Sequence, residues 1–156
     1  MFVAFDSLDD SSRLWMYGSE TEFTEQQSDY ITKKLTFFLE NWEYHKNKLT
    51  ASFKIFEDRF IIIALDDSIH GVGGCSLDGL QRLIQTFENE LSITLMNRLN
   101  VFCKIGEELL CIPTFKLGSV ANNETLFYDL TIQKKSEINT FIKPIKEGWC
   151  AHILQN

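Results

Sequence analysis

The stretch "ALDDSIHGVGGCSLDGLQRLI", residues 64–84, gathers the groups in this chain whose types and spacing suit chemistry. A hydrophobic run ends at Asp66-Asp67. A glycine-rich loop follows, with His70, Gly73 and Gly74, and then Cys75, Ser76 and Asp78 at the start of a helical pattern. Three chemistries fit these letters. The first is phosphate binding, which needs a strand, a glycine loop and a helix, with a lysine in the loop and GxxxxGK followed by Ser or Thr. The order of elements matches, but Cys75-Ser76 stands where that motif has its lysine, and no GxGxxG occurs. Asp66, Asp67 and Asp78 would repel a triphosphate. A small anion at the loop 68–78 is still compatible with the free N–H groups of a helix N-terminus.

The second chemistry is thiol catalysis. Helix N-termini favour thiolates through their free N–H groups and dipole. Cys75 would be the nucleophile, His70 its base, and the Gly73 and Gly74 N–H groups an oxyanion hole. Asp78 in the first turn opposes a thiolate electrostatically. The third reading is a plain connection: the glycines turn, Ser76 or Asp78 caps the helix, Cys75 packs beneath it, and His70 is solvated.

Elsewhere the signals are thinner. His45, His70 and His152 show no HxH, HxxxH or HExxH spacing, so no metal site is expected. There is no GxSxG elbow. Trp15 and Tyr17 alternate with Leu14 and Met16, so one face of that strand presents aromatics to a partner, to a ligand or to the C-terminal segment. Trp42 falls at a helix's buried spacing and reads as core.

The elements that must hold these groups follow from periodicity. "SRLWMYGS" (12–19) reads as a strand. Thr24 with Gln27 forms a capping box, and Ile31, Leu35, Phe38, Leu39 and Trp42 share one helical face behind it. "LTASFKIFEDRFIIIALD" reads as a hairpin turning at Glu57-Asp58, with a return strand, Phe60 to Leu65, that is apolar on both faces and suits a central position. A second helix starts near Ser76 with Leu77, Leu80, Ile84, Phe87 and Leu91 as its stripe. "NVFCKI" (100–105) is a fourth strand. "LLCIPTFKL" and "TLFYDLTI" read as further strands, and Glu137 to Lys143 as a short helix. The order strand, helix, strand, strand, helix, strand is the ferredoxin-like (βαββαβ) arrangement of an α+β protein, with two helices on one face of an antiparallel sheet. We therefore expect a single domain over 1–156, with a core at about 12–105 and a β-rich C-terminal extension at about 106–156.

Composition bounds the function. The chain has 156 residues, 44% of them hydrophobic and 24% charged, with thirteen Phe. That length buries a core without disulfides or metals. A net charge of −7 argues against nucleic acid and against anionic membranes as partners. No apolar run approaches the ~20 residues a spanning helix needs. "MFVAFDSLDDSSR" lacks the basic n-region of a signal peptide, so a cytoplasmic location is expected. Cys75, Cys103, Cys111 and Cys150 form no CxxC pair and are expected as free thiols, with Cys103 and Cys111 as core residues.

Taken in order, "SRLWMYGS", "RFIIIALDD", "GGCSLDG", "RLNVFCK" and "GWCAHIL" resemble a family of Bacteroidetes proteins about 150 residues long, often labelled "ABC transporter ATPase". The label implies a nucleotide site. The chain has no Walker lysine and no LSGGQ-like signature, so that activity is not expected here. The resemblance marks "GGCSLDG" as a hallmark and draws attention to Cys75 and Asp78.

Three functions therefore stand at the level of sequence. The leading one is a non-catalytic module without a cofactor. It would bind a protein partner, a second copy or a small ligand through an open sheet face bearing Trp15 and Tyr17, or through the loop with Gly73, Gly74, Ser76 and Asp78. The alternative is a thiol-dependent enzyme or redox protein using Cys75 and His70. The third is a nucleotide-binding ATPase.

Overall fold

Thr24 opens the first helix through both arms of its capping box. Its Oγ1 accepts from the Gln27 N–H at 3.1 Å, and Gln27 Oε1 accepts from the Thr24 N–H at 3.0 Å. The computed structural model describes residues 1–68 and 71–154. Helix α1 (Glu25–Glu40) buries Ile31, Leu35 and Leu39. Trp42, just past its end, is buried as the period requires, while Phe38 is half-buried.

The chain divides into two compact units. The first comprises Met1–Met96 with Gln133–Ser136, and the second Asn97–Ile132 with Glu137–Asn156.

In the first unit, β1 (Arg13–Gly18), β4 (Thr50–Phe56) and β5 (Phe60–Asp66) form an antiparallel sheet in the order β1-β5-β4. The central strand is the one whose residues are apolar on both sides, and Phe60 to Leu65 are fully buried. The β4–β5 hairpin turns through Glu57 and Asp58, both at positive φ (51° and 53°), and the Arg59 N–H donates to Phe56 O at 3.1 Å. A small ladder, β2 (Glu43–Tyr44) with β3 (Asn47–Lys48), follows α1. Helix α2 (Gly74–Leu91) buries Ser76, Leu80, Ile84 and Phe87. Both helices pack on the sheet face that carries Tyr17, Ile61, Ile63, Leu65 and Ala51.

The α+β class holds, and so do the first five elements of the expected order. The sixth differs. Strand β6 (Asn100–Ile105) lies in the second unit, between β7 (Glu108–Pro113) and β8 (Leu126–Tyr128), with β9 (Ile142–Pro144) at the far edge. It is not paired with β1, as a ferredoxin-like sheet requires. The reason is local: Gly106-Glu107 joins β6 to β7, and closing so short a loop costs less entropy than a return to β1. Beside β1, Gln133–Lys135 stand instead: the Leu14 N–H donates to Gln133 O, and Lys135 N–H to Ser12 O. The division accordingly falls at Met96–Asn97, ahead of β6.

The second unit's core is Val101, Cys103, Ile112, Leu117, Phe127, Ile145 and Cys150. A Cβ at Gly148 would fall 2.0 Å from Phe127 Cζ, so only glycine lets the chain pass that ring. A short helix, α3 (Leu117–Val120), follows a 3-10 turn at Thr114–Lys116, where a continuing strand was expected. The expected helix at 137–143 is a 3-10 helix over Lys135–Thr140 that runs into β9. Among the described residues, no helix is long and apolar enough to cross a membrane.

Candidate functional site

The glycine loop is shaped by an aromatic ring. Gly73 is the N-cap of α2, with no side chain capping the helix. A Cβ on Gly73 would lie 2.3 Å from Tyr44 Cε1, and one on Gly71 3.5 Å from Cε2. The Tyr44 ring therefore occupies the space a side chain would need. Gly74 has open space around it.

The first turn of α2 is tied to the end of α1. The Trp42 indole N–H donates to Ser76 O at 2.9 Å, and Ser76 Oγ donates to Glu43 O at 2.7 Å. Ser76 thus neither caps the helix nor faces solvent. It is a buried hydroxyl with a saturated partner. Trp42 also packs tilted on Phe38 (5.5 Å) and edge-on to Trp15 (6.3 Å).

Cys75 is exposed, which overturns the expectation that it packs beneath the helix. Asp78 is exposed and does not cap α2. His70, the base assigned from sequence, lies outside the described residues. Trp15 and Tyr17 do not face an open sheet. Tyr17 is 6% exposed inside the helix-covered core, and Trp15 packs against the same cluster, while Leu14 and Met16 on the other face are buried too. The aromatic face of β1 is the one the helices cover, and the other face is buried as well.

One concave feature in the first unit unites residues of both helices. A groove of about 450 Å³ runs between the C-terminal half of α1 and the N-terminal half of α2. Phe37, Phe38, Trp42 and Leu83 form its apolar walls, and Cys75 and Ser76 stand at one end. Phe37 is 73% exposed. Gly79 lines the groove beside the Phe38 ring: a Cβ there would lie 3.6 Å from that ring and 3.9 Å from an Arg82 guanidinium nitrogen, both ordinary contact distances. The sequence carried a faint sign of this. Phe37-Phe38-Leu39 is one apolar residue wider than a single helical stripe, so one of the three must face outward.

The other thiols are of a different kind. Cys103 and Cys150 are fully buried. Burial pushes the Cys103 thiol up to about 12, with smaller pushes from Cys150 and Cys111. Burial likewise raises Cys150 to about 11, with Asp129 adding to it. Both are held as neutral thiols and suit packing rather than chemistry. Among the described residues, no group of three or more His, Cys, Asp or Glu side chains is placed to hold a metal ion.

Comparison with known proteins adds no relative to this picture: no family model, no curated protein and no solved structure matches the chain.

Proposed function

We propose that this chain is a non-catalytic binding module and that its recognition site is the groove between α1 and α2. The observation that carries this reading is the exposed Phe37 beside an apolar cleft whose floor is fixed. Trp42 and Ser76 spend their polar groups on each other and on Glu43, so they stiffen the cleft and are not free to act as acids or bases. Clefts of this size with mostly apolar walls are the common form of a ligand site. The test is an amide-resolved NMR titration with a mixed set of small fragments. Shifts should cluster on residues 34–43 and 75–83, and Gly79→Phe, which fills the cleft, should abolish them. Shifts scattered over the surface, or none with any fragment, would remove this reading.

A second reading is favoured by one observation: Cys75 is exposed, in the first turn of α2, on the groove's wall. It makes the protein a thiol-dependent enzyme or redox protein. Site-resolved alkylation by iodoacetamide decides it. A Cys75 rate no faster than that of a free cysteine would sink the thiol reading and leave the binding reading untouched.

A further inference from the structure

The groove is apolar along its walls, but two cations stand at its edge. Lys34 lines it from α1. From α2, an Arg82 guanidinium nitrogen comes within 3.9 Å of the point a Gly79 Cβ would occupy. Lys34 rests over the Tyr30 ring at 5.6 Å. Neither Lys34 nor Arg82 has an acidic partner among the described residues; Asp78, one turn before Arg82, does not pair with it. The groove's lining also holds a carboxylate, Glu43, at the end where Cys75 and Ser76 stand. Lys34 and Arg82 lie farther along α1 and α2, away from the Glu43 end, and in a chain of net charge −7 they make that part of the cleft a local reversal of sign.

We infer that the groove takes a small amphipathic carboxylate, its apolar body against Phe37, Phe38 and Leu83 and its head between Lys34 and Arg82. This rests on the groove being the ligand site. The chemistry of the two ends sets the class. An arginine fork and a lysine point charge match a carboxylate, and aromatic walls match an aryl or alkyl body. A fully apolar ligand would leave both cations unused. A cationic one would be repelled by them.

The experiment uses three isosteres: 4-phenylbutyrate, 4-phenylbutan-1-ol and 4-phenylbutylamine. Binding is read as protection of Cys75, which lines the groove, from iodoacetamide on the folded full chain, and independently by calorimetry. The carboxylate should protect Cys75 in a saturable way, and the alcohol and amine should bind about tenfold more weakly or not at all, the worth of one charge-assisted contact. The double variant Lys34→Gln/Arg82→Gln, at two exposed positions, should lose that preference while keeping its melting temperature. Equal binding of acid and alcohol, or an unchanged preference in the double variant, overturns the carboxylate assignment and leaves the groove as a ligand site. No binding of the carboxylate at millimolar concentration also overturns it. The fragment titration above then decides separately whether the groove binds anything.

Discussion

The indole N–H of Trp42 donates to the backbone carbonyl of Ser76 at 2.9 Å, across 34 residues of sequence. This bond holds the end of α1 to the start of α2, and the groove lies between those two ends.

Replacing Trp42 with Phe keeps most of the apolar contact and removes the donor. We expect a loss of about 1–3 kcal/mol, from the hydrogen bond and the missing ring volume together. Urea denaturation measures it. The variant should also loosen the groove, so amides of 75–79 should exchange faster than in the parent. A variant as stable as the parent would mean that the bond contributes nothing net.

Gly73 and Gly74 are adjacent but should respond in opposite ways. Gly73→Ala drives a methyl into the Tyr44 ring and should cost about 1–3 kcal/mol. Gly74→Ala meets open space inside a helix and should be neutral or stabilise by up to ~1 kcal/mol. Adding Tyr44→Ala should relieve most of the Gly73→Ala penalty. A double-mutant cycle with no coupling between positions 44 and 73 would refute this account of the loop.

The thiols should sort by burial. In the folded protein, iodoacetamide at neutral pH should modify Cys75 and spare Cys103 and Cys150 until the chain unfolds. The same burial sets a pH dependence. In the unfolded chain these two thiols ionise near their ordinary value of about 9, whereas in the fold they keep their protons up to about 12 and about 11. The unfolded state therefore sheds protons first, and stability falls as pH rises through that window and is unaffected below it. Urea midpoints at about pH 8 and about pH 10.5 measure the drop, which Cys103→Ala and Cys150→Ala should each reduce.

Mg-ATP should leave the melting temperature unchanged. Among the described loop residues there is no lysine, and the Tyr44 ring packs against Gly73. A saturable rise in melting temperature would reopen the nucleotide reading.

What the sequence discloses here is mostly what is local. The capping box at Thr24 lies within four residues, and it forms. The double-sided apolar run Phe60 to Leu65 identifies a central strand without reference to its partners. The partner of β6 is a different kind of question. It is a choice between a near neighbour and a distant one, and alternation along the strand is the same in either case. Trp15 and Tyr17 illustrate a second limit. Alternation says that two faces exist, but both are buried, so nothing in the pattern says which one the helices take. The groove depends on Phe38 and Gly79 meeting, 41 positions apart, and a glycine inside an amphipathic helix is only a weak hint of it.

Gln133–Ser136 bear on how this molecule is made. Their hydrogen bonds to Asp10, Ser12 and Leu14 complete the flank of the first strand, yet they are synthesised long after the rest of their unit. A nascent chain that has emerged only as far as Met96 holds the residues of β1, both long helices and the β4–β5 hairpin, but not the Gln133 carbonyl that accepts from the Leu14 N–H. The first strand of the protein is therefore among the last to be finished. Stalling translation between those points should leave a species whose amide at Leu14 exchanges freely while those of β5 are already protected.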